Sequence, residues 1–179
     1  MMQSPSHIHK NRGFTLMEAL LGFLILSIGM LGIASLQAIS LKSGKTSVYT
    51  SVAIMKSEEL LESMRSNPAP AALAAYAAAG AGPGEDNGCS SGTACTPVSL
   101  ASDDIFWWQN NLLAGLPDSV TTAVVYTPSP FSAGTGNSKL ATMQVDINWD
   151  ERDQDSGGSI AKTYTTVAEI CETVPGQPC

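Results

Sequence analysis

Three features of the chain predict an α+β fold. A helix-compatible run extends from Phe14 to Asn67 without a proline. Beyond Pro68, stretches of alternating apolar and polar residues have the period of half-buried strands. The last two stretches are separated by "RDQDSGG", a turn sequence that makes antiparallel pairing natural. A long helical spine followed by a small antiparallel sheet is the expected architecture.

The helix comes first. From Ala19 to Leu41 there are 23 residues without a charge. As a helix that is about 35 Å, enough for a hydrocarbon core of about 30 Å. Lys10 and Arg12 precede the run, and the positive-inside rule places them in the cytoplasm, although Lys42 and Lys45 follow on the other side. The expected orientation is N-terminus in, with the remainder in the periplasm or outside the cell. The helix continues through "KSGKTSVYTSVAIMKSEELLESMRSNP" and stops at Asn67-Pro68. In this second half, residues 42–67, Val48, Val52 and Met55 share a face that Leu60 or Leu61 and Met64 extend. Lys56, Glu58, Glu59, Glu62 and Arg65 take the wet side. Gly44 is the weak point, at about 1 kcal/mol relative to alanine. A continuous helix from Phe14 to Asn67 has 54 residues and is about 80 Å long.

Residues 68–179 are expected to form a head with its own core. The segment 68–100 is rich in alanine, glycine and proline and reads as a loop, with a short helix over Leu73–Ala79. A second helix is predicted over 102–114. Ser102 is its cap, Asp103 and Asp104 lie at the positive end of its dipole, and Gly115 and Pro117 end it. Ile105, Trp108 and Leu112 share one face, as do Phe106 and Leu113, and the Trp107-Trp108 pair is read as core. Strands are predicted over 119–127, 139–149 and 160–170. Met143, Val145, Ile147 and Trp149 alternate with polar residues in the second strand. Tyr164, Thr166, Ala168 and Ile170 line one side of the third.

The apolar run has two ordinary readings. One is a secretory signal peptide, with a small-x-small site at Ala38-Ile39-Ser40. The other is a plain membrane anchor. The run is longer than a signal peptide's usual apolar region, and neither reading explains Glu18, an acid at its mouth with no basic residue inside the run. A charge at the centre of a spanning segment costs about 2.5–3.5 kcal/mol, less near an edge, so it usually has a partner.

"RGFTLMEALLGFLILSIGMLGIASLQ" resembles the class III signal of type IV pilins and pseudopilins. The resemblance implies that a prepilin peptidase removes residues 1–13 as a cytoplasmic leader. It cuts between Gly13 and Phe14 and N-methylates Phe14. It also supplies the missing cation. Glu18, the fifth residue of the mature chain, would pair with the N-terminal amine of a neighbouring subunit. An ion pair in low dielectric is favourable only when both partners are well placed, so this pair would fix the axial register of an incoming subunit. Residues 14–41 would be the transmembrane and filament-core half of helix 1, and residues 42–67 the amphipathic half. The long spine on a small sheet is then a pilin-like fold, with 68–100 its variable surface loop. Many major pilins have a proline midway along the first helix, which this chain lacks. The strand ending in Trp149, Asp150 and Arg152, and the helix ending in Leu116-Pro117, look more loosely like the PilV-type minor pilins.

The implied role is a minor pilin subunit acting in assembly or initiation of a type IV pilus, serving twitching motility, adhesion or DNA uptake. Its partners would be the prepilin peptidase, other minor and major pilins contacted through helix 1, and the inner membrane before assembly. The alternatives are a minor pseudopilin of type II secretion and an anchored periplasmic binding protein that never polymerises.

Composition suits an exported protein. The formal charge is −7, and losing Lys10 and Arg12 with the leader makes it −9 before the new amine is counted. No basic patch survives, so no direct nucleic-acid binding is expected. The cysteines fall as Cys89/Cys95 and Cys171/Cys179, which in an oxidising compartment suggests two short disulfide loops. Three connectivities are open. The local one would contribute about 2–2.5 kcal/mol per loop on the chain-entropy model. The only histidines, His7 and His9, lie in the leader. With no histidine in the mature chain and its cysteines paired, no enzyme, cofactor or zinc site is expected. Asp150, Glu151, Asp153 and Asp155 cluster, but the full calcium-loop pattern and its terminal glutamate are absent. They read as a solvated hairpin turn.

Overall fold

The structure is a computed structural model that describes residues 13–89, 94–117, 119–132, 137–153 and 157–173, with Leu113 described by its backbone alone. It has three helices, α1 (Leu16–Ser66), α2 (Pro70–Ala79) and α3 (Pro97–Leu113). Three strands follow, β1 (Thr121–Thr127), β2 (Leu140–Arg152) and β3 (Ser159–Cys171). This is the expected α+β class. The chain divides into two compact units between Gly44 and Lys45. Helix α1 runs unbroken past Gly44, where an added Cβ would meet nothing within 4 Å.

In the first unit, the described side chains from Gly13 to Leu41 are all exposed. Helix α1 is the one helix among the described residues that is long and apolar enough to cross a membrane.

The second unit has a core built from every element. Helix α1 contributes Ala53, Ser57, Leu60, Leu61 and Met64, all buried, with Tyr49 and Val52 packed beside them. This corrects the expected face, because Val48 and Met55 are 57% and 62% exposed. Val52, Leu60, Leu61 and Met64 lie on the core side as expected, and only Val48 and Met55 turn outward. The buried stripe runs through Ala53 and Ser57, whose small side chains admit close approach. Ser57 satisfies its hydroxyl on the carbonyl of Ile54 at 2.8 Å. Glu58, Glu59, Glu62 and Arg65 are exposed, as expected, while Lys56 is half-buried.

Helix α2 starts three residues before the predicted Leu73, with a proline in its first turn where no N–H is needed. It buries Ala72, Leu73 and Tyr76. Helix α3 starts at Pro97, not at 102. Thr96 is its cap and accepts from the Ser99 N–H at 3.2 Å. The Thr96-Pro97 pair combines a capping hydroxyl with a proline preset for the first turn. Ser102, Asp103 and Asp104 therefore lie past the first turn and do not cap the helix. Ile105, Trp108 and Leu112 are buried, as their spacing predicted. The tryptophan pair splits. Trp108 is buried and its Nε1 donates to the Lys56 carbonyl at 2.7 Å, whereas Trp107 is 44% exposed and meets Phe106 edge-on.

The sheet is antiparallel throughout, in the order β1-β2-β3. Met143, Val145, Ile147 and Trp149 are buried; Ala168, Thr166 and Tyr164, opposite the first three, are half-buried, and Ile170, opposite buried Ala141, is buried. Strand β1 starts two residues later than predicted, β2 extends three residues further, and β3 gains one residue at each end. At the turn, the Asp153 N–H donates to the Gly158 carbonyl at 2.8 Å. Gly157 has φ of 71°, a conformation that favours glycine.

Candidate functional site

The helix of the N-terminal segment begins at Leu16, so Gly13, Phe14 and Thr15 are non-helical. The Thr15 carbonyl accepts from the N–H groups of Glu18 at 3.1 Å and Ala19 at 3.2 Å. Its Oγ1 also accepts from the Glu18 N–H at 3.3 Å. Thr15 therefore caps α1, and Glu18 is the third helical residue. Thr-x-x-Glu at a helix start is the spacing of a capping box. Sequence reasoning missed this, although "TLME" carries the signal. The acid also faces the positive end of the helix dipole, worth about 0.3–1 kcal/mol at an exposed position.

Glu18 thus has a local reason for its place, but its carboxylate has no cation partner among the described residues. The two ion pairs found there are Lys56 with Glu59 at 2.6 Å and Arg65 with Glu62 at 2.5 Å. Phe14 is 78% exposed, and an added Cβ at Gly13 would meet nothing. At about 100° per residue, Gly22, Gly29 and Gly32 fall within about 40° of Glu18 around the axis. The hydroxyls of Ser27 and Ser35 are satisfied inside the helix, on the carbonyls of Phe23 at 2.7 Å and Gly32 at 2.8 Å. That spares an apolar environment two unpaired donors.

In the second unit, Cys89 and Cys95 form a disulfide. Cys171 is also disulfide-bonded, and Cys179 lies outside the described residues. The loop before Cys89 is tied along α3. Gln109 Oε1 accepts from Gly84 N–H at 3.3 Å, Ser102 Oγ from Glu85 N–H at 3.0 Å, and buried Asp103 from Asn87 N–H at 2.7 Å. Asp103 also accepts from the Cys89 N–H at 3.4 Å.

Two further carboxylates pair with hydroxyls. Tyr76 donates to Asp104, and Tyr126 and Ser129 donate to buried Glu172. Burial pushes both tyrosines well above their ordinary range, and the carboxylate beside each adds to the effect. Burial also raises Asp104, against the lowering effect of the Tyr76 bond.

Of the acid cluster at the hairpin, Glu151 accepts from Thr46 Oγ1 and Trp149 Nε1, both at 2.8 Å. Asp155 lies outside the described residues. So do the leader up to Arg12, with His7 and His9, and residues 90–93 of the disulfide loop.

Residues 8–34 match the family model described as the prokaryotic N-terminal methylation motif. No curated protein and no solved structure matches the chain. The motif is the processing and methylation signal of the type IV pilin and pseudopilin class, and it implies cleavage by a prepilin peptidase and assembly between pilin-type subunits.

Proposed function

We propose that the protein is a minor pilin subunit of a type IV pilus, non-enzymatic, and active in filament assembly. The observation that carries this reading is Glu18, an acid within the methylation motif, at the start of an exposed apolar helix and without a cation partner among the described residues. Cleavage after Gly13 would create an ammonium group at Phe14. The Phe14 amine of one subunit then meets Glu18 of the next, and apolar helices pack once the charges cancel. The precursor sits in the inner membrane with its N-terminus in the cytoplasm and its head in the periplasm until it enters the filament.

Mass spectrometry of the membrane-extracted chain tests the processing step. A methylated Phe14 terminus is expected, and a start near Leu41 or an intact Met1 would refute the reading. Glu18→Ala should leave insertion and cleavage intact and reduce filament incorporation by about tenfold, the effect of about 1.4 kcal/mol of lost pairing. Normal incorporation would refute the register role. Deletion should abolish surface pili; loss of exoprotein release with pili intact would instead point to a pseudopilin of type II secretion.

A further inference from the structure

Among the described residues, the sheet leaves a long edge open. Strand β3 has 13 residues and pairs with β2 in unbroken register. In an antiparallel pair, bonded and non-bonded residue pairs alternate. Asp153 N–H donates to Gly158 O at one end of the ladder, and Glu172 N–H donates to Lys139 O at 3.0 Å at the other. Both fix the same phase. Even-numbered residues of β3 bond to β2. Ser159, Ala161, Thr163, Thr165, Val167 and Glu169 turn their N–H and C=O groups outward, and all six are exposed. No partner for these backbone groups occurs among the described residues. Thr163 and Thr165 donate their hydroxyls back to Asn148 at 2.7 Å and Asp146 at 2.6 Å, leaving the edge unobstructed.

Edge strands are usually blunted by proline, bulges or shortness. β3 has none of these devices, and its one lysine, Lys162, belongs to the set bonded inward. The opposite edge differs. β1 has seven residues and is approached by the end of α2, where Thr122 Oγ1 donates to the Gly80 carbonyl at 2.7 Å.

We propose that the outer edge of β3 from Ser159 to Glu169 is a strand-addition site for an extended segment of a different, less acidic pilin-type subunit. The naming of a pilin-type partner rests on the function proposed above. The ladder itself selects an extended chain, because only a strand presents acceptors and donors at the same alternating spacing. Past the end of β3, Thr173 N–H bonds to the Pro68 carbonyl at 3.0 Å. A second copy is disfavoured by charge, since two mature chains whose side chains each sum to −9 repel, and Asp146 and Glu169 flank the edge.

The test uses the full mature chain, co-expressed with the other pilin-type subunits of its host. A photo-crosslinking residue replaces Thr163, and the crosslinked peptides are mapped. Crosslinks to consecutive alternate residues of one strand in a non-identical pilin-type subunit are expected. Ala161→Pro combined with Val167→Pro removes two outward N–H groups without touching the β2 ladder or a side-chain bond to it. It should preserve the melting transition and reduce partner recovery about tenfold, the effect of two hydrogen bonds of about 0.7 kcal/mol each. Thr166→Pro breaks an inward bond and should lower the melting temperature, which calibrates the phase. Crosslinks confined to a second copy, to residues 174–179 or to a helix, or unchanged partner recovery in the double variant, would overturn the inference. A chain with a methylated Phe14 and Glu18-dependent incorporation but an indifferent edge would sink this proposal alone. An unprocessed chain would sink the pilin reading first.

Discussion

Gly84→Ala should be among the most damaging single-methyl changes in the head. Gly84 lies where the disulfide loop is pressed on α3, and an added Cβ would sit 2.2 Å from the Ser102 carbonyl oxygen and 2.5 Å from the Phe106 nitrogen. Both neighbours are helix backbone and cannot rotate aside. Cβ atoms essentially never come nearer than 3.0 Å to such atoms, so the loop must retreat by about 0.8 Å, the difference between 3.0 and 2.2. That retreat lengthens the Gly84–Gln109 bond from 3.3 Å and the Glu85–Ser102 bond from 3.0 Å beyond useful range. Two hydrogen bonds at about 0.5–1.5 kcal/mol each, with about 1–3 kcal/mol of overpacking, give a loss of about 4 kcal/mol. For a chain of this size that lowers Tm by about 10 °C. Near-ultraviolet circular dichroism of the mature protein in detergent, under non-reducing conditions, follows the transition. Gly82→Ala is the matched control, because its Cβ meets nothing within 4 Å. A Gly84→Ala variant melting within about 2 °C of both wild type and Gly82→Ala would refute the claimed contact.

Trp108→Phe keeps much of the apolar volume but deletes the indole bond to the Lys56 carbonyl. It should cost about 1–3 kcal/mol by denaturant titration, while Trp107→Phe, at a half-exposed site, should stay within about 0.5 kcal/mol. On the alkaline side, the unfolded chain releases tyrosine protons near the ordinary value of 10.0, while folded Tyr76 and Tyr126 keep theirs. Their contribution is complete below that pH and is lost as pH rises through it, so stability should fall above about pH 10. Tyrosinate absorbance from these two residues should then develop together with unfolding; its appearance while the fold remains intact would contradict the assignment.

The helical spine was legible because its signal is collective. Twenty-three uncharged residues, followed by a segment free of proline, leave a helix little competition. The hairpin was legible because alternation in β2 and β3 brackets a turn. What escaped depended on single atoms or distant partners. The start of α3 is set by Thr96 and Pro97, which lie next to Cys95 and read as loop. The buried stripe of α1 is set by Ala53 and Ser57, which no hydrophobicity count favours. The Tyr76–Asp104 and Tyr126–Glu172 pairs join residues 28 and 46 positions apart, beyond any local pattern. At the N-terminus, Glu18 was conspicuous against grease, whereas Thr15, which caps the helix beneath it, was hidden among ordinary residues.

The carboxylates of the head follow one rule that also bears on assembly. Asp103 is held by backbone N–H groups, Asp104 by Tyr76, Glu151 by Thr46 and Trp149, and Glu172 by Tyr126 and Ser129. Neutral donors satisfy these acids geometrically but cancel none of their charge. Both ion pairs found among the described residues lie on the exposed side of α1. With 16 acids against the seven basic residues left after leader removal, the mature side chains sum to −9. An internal salt-bridge network would have neutralised the head and let identical heads approach. Hydroxyl and amide partners instead keep its field intact over about a Debye length of 8–10 Å. Contacts between identical heads then oppose like charges, while a neutral or basic neighbour meets no such penalty. On the proposed assembly role, the head's charge therefore favours a neutral or basic neighbour over a second identical head.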